Sequence, residues 1–434
     1  MNQSNKSYRT AFIFLTSLFF LWGFITVLVD SLIPRIRELF TLTYFQAGLV
    51  QFAFFGAYFV LSIPAGLILS KIGYKKGIVL GLTTMAIGCL LFYPAASYRE
   101  FSIFMLAYFV LAGGMTILQV AANPYVAALG SEEGASSRLN LSQAFNSLGT
   151  AIAPAVGAML ILSDKVKSTE EIEALSETAK ETYLTSEAAA VQSPFLGIAG
   201  FIIVLALVFV FVKLPKILQK APKEGYAQLL RNRSLMMGAF GIFVYVGAEV
   251  AIGSYLVNYF DKMGLADMIK NSDFMRSVSE TVLGKSVADV SNLAIVGAFV
   301  TFYWSGAMIG RFIGAYLTKV LKPAKVLSAF AIGALLMIII SMSTTGFVAM
   351  WSILAVGLFN SIMFPTIFTL AIDGLDELKP QASGILCTMI VGGAIIPPLY
   401  GKLTDHFGFK LAFFLVILCY GYIFFYGKLK TKKA

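Results

Sequence analysis

The chain has 434 residues, a formal net charge of +10 and 58% hydrophobic residues, and only 13% of it is charged, where a soluble domain carries about a quarter. So many apolar side chains cannot all hide in one water-soluble core, which excludes a soluble globular protein and makes lipid the solvent for much of the surface. The positive residues sit at the ends of apolar runs, as membrane orientation requires, which sets nucleic acid aside as a partner.

A spanning helix needs about 20 mostly apolar residues. Twelve such runs are predicted, at 10–33, 45–69, 77–97, 101–129, 139–162, 194–212, 234–260, 293–318, 326–344, 347–371, 383–401 and 408–427. The first continues past signal-peptide length without a small-residue cleavage site, so it reads as span 1 rather than a leader. Within it, "FFLWGFITVLVDSLIP" carries a carboxylate at Asp30. A charge near the bilayer centre costs at least about 2.5 kcal/mol, so such a residue is read as functional by default. On a 3.6-residue period Gly23, Thr26 and Asp30 share a small, polar face that suits a water-filled cavity. Asp30 is therefore a candidate cation-coupling group, able to take up a proton or to ligate sodium. The competing reading is an interfacial acid neutralised by Arg35 or Arg37.

Span 4 contains "GGMTILQVAANPYVAALG", with Gln119 and Asn123 four apart on one face. Pro124 lacks an amide hydrogen and so frees a backbone carbonyl one turn earlier. In span 5, "LNLSQAFNSLG" puts Gln143, Asn146 and Thr150 on a common face. In span 7, Glu249 sits mid-span with Tyr245 one turn before it. Asn258 lies nine residues on and faces elsewhere unless the helix breaks at Gly247 or Gly253. Span 8 sets Trp304 and Arg311 on one face, with Arg311 toward the cytoplasmic end, where it either gates through an ion pair or snorkels. Span 10 adds Asn360 before Pro365.

Uncharged amides that both donate and accept suit a ligand rich in hydroxyls, and an indole can stack on a sugar's C–H face. The substrate-binding candidates are thus Gln119, Asn123, Gln143, Asn146, Glu249, Asn258, Trp304 and Asn360; Asp30 and Glu249 are the cation-coupling candidates, and Arg311 the gating one. For each amide the alternative is interhelical packing, worth about 0.6 kcal/mol per bond. His406, in "LTDHFGFK", reads as a solvated loop residue and is the only histidine. Cys89, Cys387 and Cys419 lie in apolar runs with neither metal-ligand nor disulfide spacing, so no resident metal or cofactor is expected.

Residues 213–233 are basic and divide the chain near its middle, giving an N-terminal bundle at 1–212, a cytoplasmic linker, and a C-terminal bundle at 234–434. The tails and even-numbered loops hold 20 Lys and Arg against 11 in the odd-numbered ones, which places both termini in the cytoplasm. Stretches 163–193 and 261–292 each have room for a short extracellular helix. The halves look duplicated: "PAGLILSKIGYKK" after span 2 aligns with "FIGAYLTKVLKPAK" after span 8, and the pair Pro124 and Pro154 is spaced like Pro365 and Pro397. The expectation is an all-α membrane protein with the major facilitator fold, twelve transmembrane helices in two pseudo-symmetric six-helix halves that rock about a midplane site.

At "FFLWGF", "IPAGLILSKIGYKKG", "AANPYVAALG", "RLNLSQAFNSLG", "YVGAEVAIGSYLVNY", "YWSGAMIGRFIG", "GLFNSIMFPTIFTLAI" and "VGGAIIPPLYG", the chain resembles the fucose–proton symporter family, especially its bacterial glucose/galactose transporter branch. The resemblance implies uptake of a monosaccharide by symport with a cation across the bacterial inner membrane. Asp30 falls where that family has an essential span-1 aspartate, and Gln143 and Asn146 match its span-5 amide motif. The family's span-4 glutamate is replaced by Gln119, which cannot titrate, and its span-1 asparagines by Thr26 and Val27. Coupling then rests on Asp30 or Glu249, with proton or sodium as the ion. The expected partners are the sugar and membrane lipid, with the protein acting as a monomer. The alternatives are an uncoupled sugar facilitator and a proton-coupled drug antiporter. An enzyme is not expected, since no zinc or nucleophile motif appears.

Overall fold

The computed structural model describes residues 3–30, 44–161, 174–217 and 225–433, and every regular element among them is a helix. Lipid supplies no hydrogen bonds, so a spanning segment must satisfy its own N–H and C=O groups, which the helix does. The first half comprises α1 (Gln3–Asp30), α2 (Tyr44–Ile72), α3 (Tyr74–Tyr98), α4 (Phe101–Ala128), α5 (Ala135–Ile161) and α6 (Glu177–Phe211). The short α7 (Gly225–Arg231) lies in the basic linker and leads into α8 (Arg233–Lys262). Outside the apolar runs come α9 (Leu265–Lys270) and α10 (Asp273–Leu283). Then follow α11 (Asn292–Ala298), α12 (Val300–Val320), α13 (Pro323–Ser343), α14 (Gly346–Asn360), α15 (Met363–Ile372), α16 (Lys379–Thr388), α17 (Gly392–Phe407) and α18 (Phe409–Lys433).

Among the described residues, 11 helical stretches are long and apolar enough to cross a membrane, and α5 occupies the place of the remaining expected span. Three of the spans are interrupted. Span 8 steps from α11 to α12 at Phe299, span 10 breaks between Asn360 and Met363, and span 11 passes through a 3₁₀ turn, Met389–Val391. The last two breaks lie just ahead of Pro365 and of Pro397 and Pro398, whose missing N–H groups loosen the preceding turn. Span 7, by contrast, runs unbroken through Gly247 and Gly253.

The two long hydrophilic stretches differ from each other. Residues 177–193 are not a separate helix but the N-terminal extension of α6, begun by Ser176, whose hydroxyl accepts from the Ala179 N–H at 3.4 Å. Alanine-, glutamate- and threonine-rich sequence with no glycine lets the helix continue into the apolar run. Arg99, which ends α3, grips Glu181 on this extension through both guanidinium nitrogens, one contact being 3.0 Å. Residues 261–292 hold the paired short helices α9 and α10.

The chain packs as two compact units, the first being Met1–Ala135, Phe145–Asn232 and Ile372–Met389, the second Ser136–Ala144, Arg233–Ala371 and Ile390–Ala434. The change at Arg233 falls at the end of the expected linker. Each unit also takes a short segment from the other half of the sequence: α16 packs with the first unit, the opening turns of α5 with the second. In the first unit α3 lies against α4 and α6, and α2 against α4 and α16. In the second, α13 packs on α18 and α14, α12 on α14, and α8 on α17 and α18. Asn123, Asn140, Asn360 and Gln381 are fully buried, while Phe211 and Leu418 are 79% and 71% exposed. That inversion is what a lipid-facing surface and a polar interior require.

Candidate functional site

Asp30 is the last residue of α1, one turn beyond Thr26 on the same face; its side chain, like Arg35 and Arg37, lies outside the described residues. The face leading up to it is described. Thr26 turns its hydroxyl back onto the Trp22 carbonyl at 2.9 Å and approaches Met115 Sδ at 3.8 Å. Gly23 is a close-approach position, because a Cβ there would stand 2.3 Å from the Asn146 carbonyl oxygen and 2.7 Å from its side-chain nitrogen. Asn146 uses that nitrogen to donate to the Phe19 carbonyl at 2.9 Å, so α5 is fastened to α1 beside the face that ends in Asp30.

Gln119 and Asn123, both buried, occupy successive turns of α4 as their spacing requires. Tyr58 on α2 donates to Gln119 Oε1 at 2.9 Å. With its carbonyl taken, Gln119 is left with its amide N–H groups as the donors it can offer a ligand. Gln143 is also buried, on the opening stretch of α5 that packs with the second unit, whereas Asn146 belongs to the first.

In the second unit the candidates gather around Glu249. Its charge and that of Arg311 are close enough to act on each other. The Tyr245 hydroxyl, one turn earlier and fully buried, interacts with the carboxyl without an aligned hydrogen bond. The indole of Trp304 covers Gly253, one turn after Glu249 on the same face: a Cβ on that glycine would lie 2.9 Å from Trp304 Cζ2. Trp304 is 49% exposed, so this aromatic surface beside the carboxylate remains open.

Behind them runs a chain of hydrogen bonds. Tyr303 donates to the Glu249 carbonyl at 3.4 Å, Asn360 Nδ2 donates to the Tyr303 hydroxyl at 2.5 Å, and Tyr420 donates to Asn360 Oδ1. Asn360 is fully buried and has both ends of its amide engaged, so it supports Glu249 through Tyr303 rather than facing an open volume. Arg311, half-buried, donates from Nε to the Ser361 carbonyl at 3.2 Å, the group that Pro365 leaves without its helical donor. Asn258 is exposed and is not brought to this cluster, because the unbroken α8 turns it away from Glu249. His406 is exposed near the end of α17. Among the described residues no three His, Cys, Asp or Glu side chains come together as metal ligands would.

Sequence reasoning missed Tyr58, Tyr303 and Tyr420, which position three of the candidates. The available signal was chemical: a tyrosine buried in a span needs a partner for its hydroxyl.

Within the second unit a half-buried carboxylate, an arginine, an exposed indole and an amide held by two phenols make a polar cluster in otherwise apolar helices. The model of the Major Facilitator Superfamily matches residues 10–390. The chain belongs to the Major Facilitator Superfamily. Within this superfamily of membrane transporters, it is 49% identical over 434 residues to the glucose/galactose transporter of Brucella abortus biovar 1, an alignment covering 99% of this chain and 96% of the relative. It is 34% identical to the L-fucose-proton symporter of Escherichia coli K12, over 99% of this chain and 95% of that one. The crystal structure of the superfamily transporter FucP in the outward conformation superposes with a TM-score of 0.86 at 33% identity, covering 98% of this chain and 99% of that chain.

Proposed function

We propose that this superfamily member is a symporter that carries a hexose of the glucose/galactose type into the cell together with a proton, by alternating access around the polar groups of its two units. The single observation that carries the reading is the near full-length relationship, at 49% identity, to a protein named glucose/galactose transporter. The name of the fucose relative supports the proton as the coupled ion. In this reading Gln119, Asn123, Gln143 and Asn146 offer hydroxyl-binding amides from the first half, and Trp304 with Glu249 offers a stacking face and an acceptor from the second. Asn258, exposed and turned away from Glu249, stays outside this set, and Asn360 positions Glu249. Asp30, with Glu249, senses the ion, and Arg311 neutralises Glu249 between cycles.

Ion and sugar drive the exchange of access only if they bind one conformation better than the other. The protein works as a monomer in a bacterial inner membrane with both termini cytoplasmic, and performs no chemical conversion on the sugar. Sodium is the second reading, and Gln119, an amide that cannot carry a proton, is the observation that favours it. The test is uptake of radiolabelled galactose and glucose into proteoliposomes under imposed proton or sodium gradients. Accumulation above the external concentration under a proton gradient alone is expected. Equilibration without accumulation under either gradient means a facilitator, and accumulation only with sodium replaces the ion.

A further inference from the structure

Of the two short helices between spans 7 and 8, α10 has an apolar side wider than the protein covers. The candidate spans end at Lys262 and resume at Asn292, so α10 lies beyond the membrane core, at the end that the Lys and Arg distribution makes external. Its sequence, DFMRSVSETVL, puts Met275 and Ser279 on one side, and both are buried against the protein. Next round the helix, Phe274, Val278 and Val282 follow one another at intervals of four and form a single stripe. Phe274 is 72% exposed, Val282 is 40% exposed and Val278 is half-buried. Beyond that stripe comes a polar edge of Asp273, Ser277 and Thr281, all exposed.

The helix is pinned at both ends. Ser272 caps its first turn, accepting from the Met275 N–H at 3.5 Å. After Gly284 closes the last turn, the Glu280 carboxylate accepts from the Ser286 hydroxyl at 3.2 Å and the Val287 N–H at 3.1 Å. Lys270, the last residue of α9, donates to Asn292 Oδ1 at 2.7 Å and so fastens the pair to the first residue of α11. α10 itself packs on α11, where Leu293, at the outer end of span 8, is 51% exposed. The open stripe thus continues the lipid-facing surface of a span.

Two properties choose the occupant. One phenyl ring, two valines and Leu293 fall well short of the about 800 Å² per partner of a stable protein contact. Residues 261–292 also carry five acidic and four basic side chains, a near balance that gives a charged partner nothing to select. A bilayer surface demands no minimum area, and a helix apolar on one side and polar on the other lies along it with the apolar side sunk about 5–10 Å. We propose that α10 is an interfacial helix: Phe274, Val278 and Val282 sit between the headgroups and first acyl carbons of the outer leaflet and moor the outer end of the second unit to lipid. The proposal is independent of which solute is carried.

The three native cysteines are buried, so an environment-sensitive maleimide dye labels Phe274→Cys, Val282→Cys or the control Ser277→Cys in the folded protein, with wild type giving the background. After reconstitution into phosphatidylcholine vesicles, the two dyes on the stripe are expected to emit at shorter wavelength than the dye in Ser277→Cys. They should lose emission to lipids brominated on the acyl chain and resist aqueous iodide, and the control should do the reverse. Bromines near the carboxyl end of the chain should quench more than bromines near its methyl end. Equal iodide quenching in all three variants, with none from brominated lipid, overturns the proposal. So does stronger quenching from the methyl end, which puts the helix inside the bilayer core. A wavelength shift that vanishes as the protein is diluted in lipid makes a second copy the occupant and overturns it too. Two exposed positions on the stripe keep the result readable if one variant does not fold. No sugar is needed, so the outcome is separate from that of the uptake experiment.

Discussion

The pairing of Tyr58 with Gln119 offers a quantitative test of the amide site. Tyr58 is 3% exposed and Gln119 7%, and the bond between them is 2.9 Å long and crosses from α2 to α4. Tyr58→Phe removes the donor and keeps the ring, leaving the amide carbonyl with no partner where water scarcely reaches. Interhelical bonds in membranes average about 0.6 kcal/mol and reach about 1.7. The burial of both partners places this one near the upper figure, at about 1.4 kcal/mol, which is a factor of about ten. Because the bond is what leaves Gln119's N–H groups to face a ligand, the loss is expected in KM for galactose, about tenfold, with Vmax changed much less. Initial-rate uptake in proteoliposomes measures it, within a double-mutant cycle that includes Gln119→Leu. The two single effects should fail to multiply, since Tyr58 acts through Gln119. Independent, multiplying effects, or a KM within twofold of wild type for Tyr58→Phe, refute the reasoning.

Tyr303→Phe strands the fully buried Asn360 amide nitrogen, at a cost of about 1–3 kcal/mol; the melting temperature of detergent-solubilised protein should fall, while Tyr316→Phe, at a 65% exposed position, should leave it unchanged. Gly23→Ala puts a Cβ 2.3 Å from the Asn146 carbonyl and should abolish monodisperse protein or uptake, whereas a Cβ at Gly56 meets nothing within 4 Å, so Gly56→Ala should be neutral or stabilising by about 0.5–1 kcal/mol. Hydrogen bonds from Arg99, aided by its charge, hold the Glu181 carboxyl below the usual carboxylate range. A depressed folded value gives stability that is present above the unfolded pKa, about 4.3, and lost as pH falls through the folded one. Melting curves of wild type and Glu181→Gln should therefore differ at neutral pH and converge in acid below about pH 4.

Much of the fold is legible from runs of apolar residues, because lipid allows few alternatives to a hydrophobic helix. The repeat is legible from prolines: Pro124 and Pro365 mark corresponding turns, and the carbonyls they free both find side-chain donors. What periodicity on one helix cannot reveal is the partner on another. Gln119 and Tyr58 are 61 residues apart, and Asn360 and Tyr303 are 57 apart, so their pairing is a property of packing. For the same reason Asn360 reads in sequence as a ligand-facing amide, yet its amide is engaged at both ends by phenols. The placing of the start of α5 with the second unit and of α16 with the first is equally invisible to hydropathy, which sees only where a span begins. Asn258 followed its helical phase once α8 proved continuous, since glycines permit a break without imposing one.

The central claim is that sugar entry moves a proton, with Asp30 as the group that registers it. The direct measurement is the pH outside weakly buffered proteoliposomes after a pulse of galactose. Transient external alkalinisation is expected from wild type, absent in Asp30→Asn and collapsed by a protonophore. Galactose entry with no pH change in wild type, or full alkalinisation with Asp30→Asn, would contradict it.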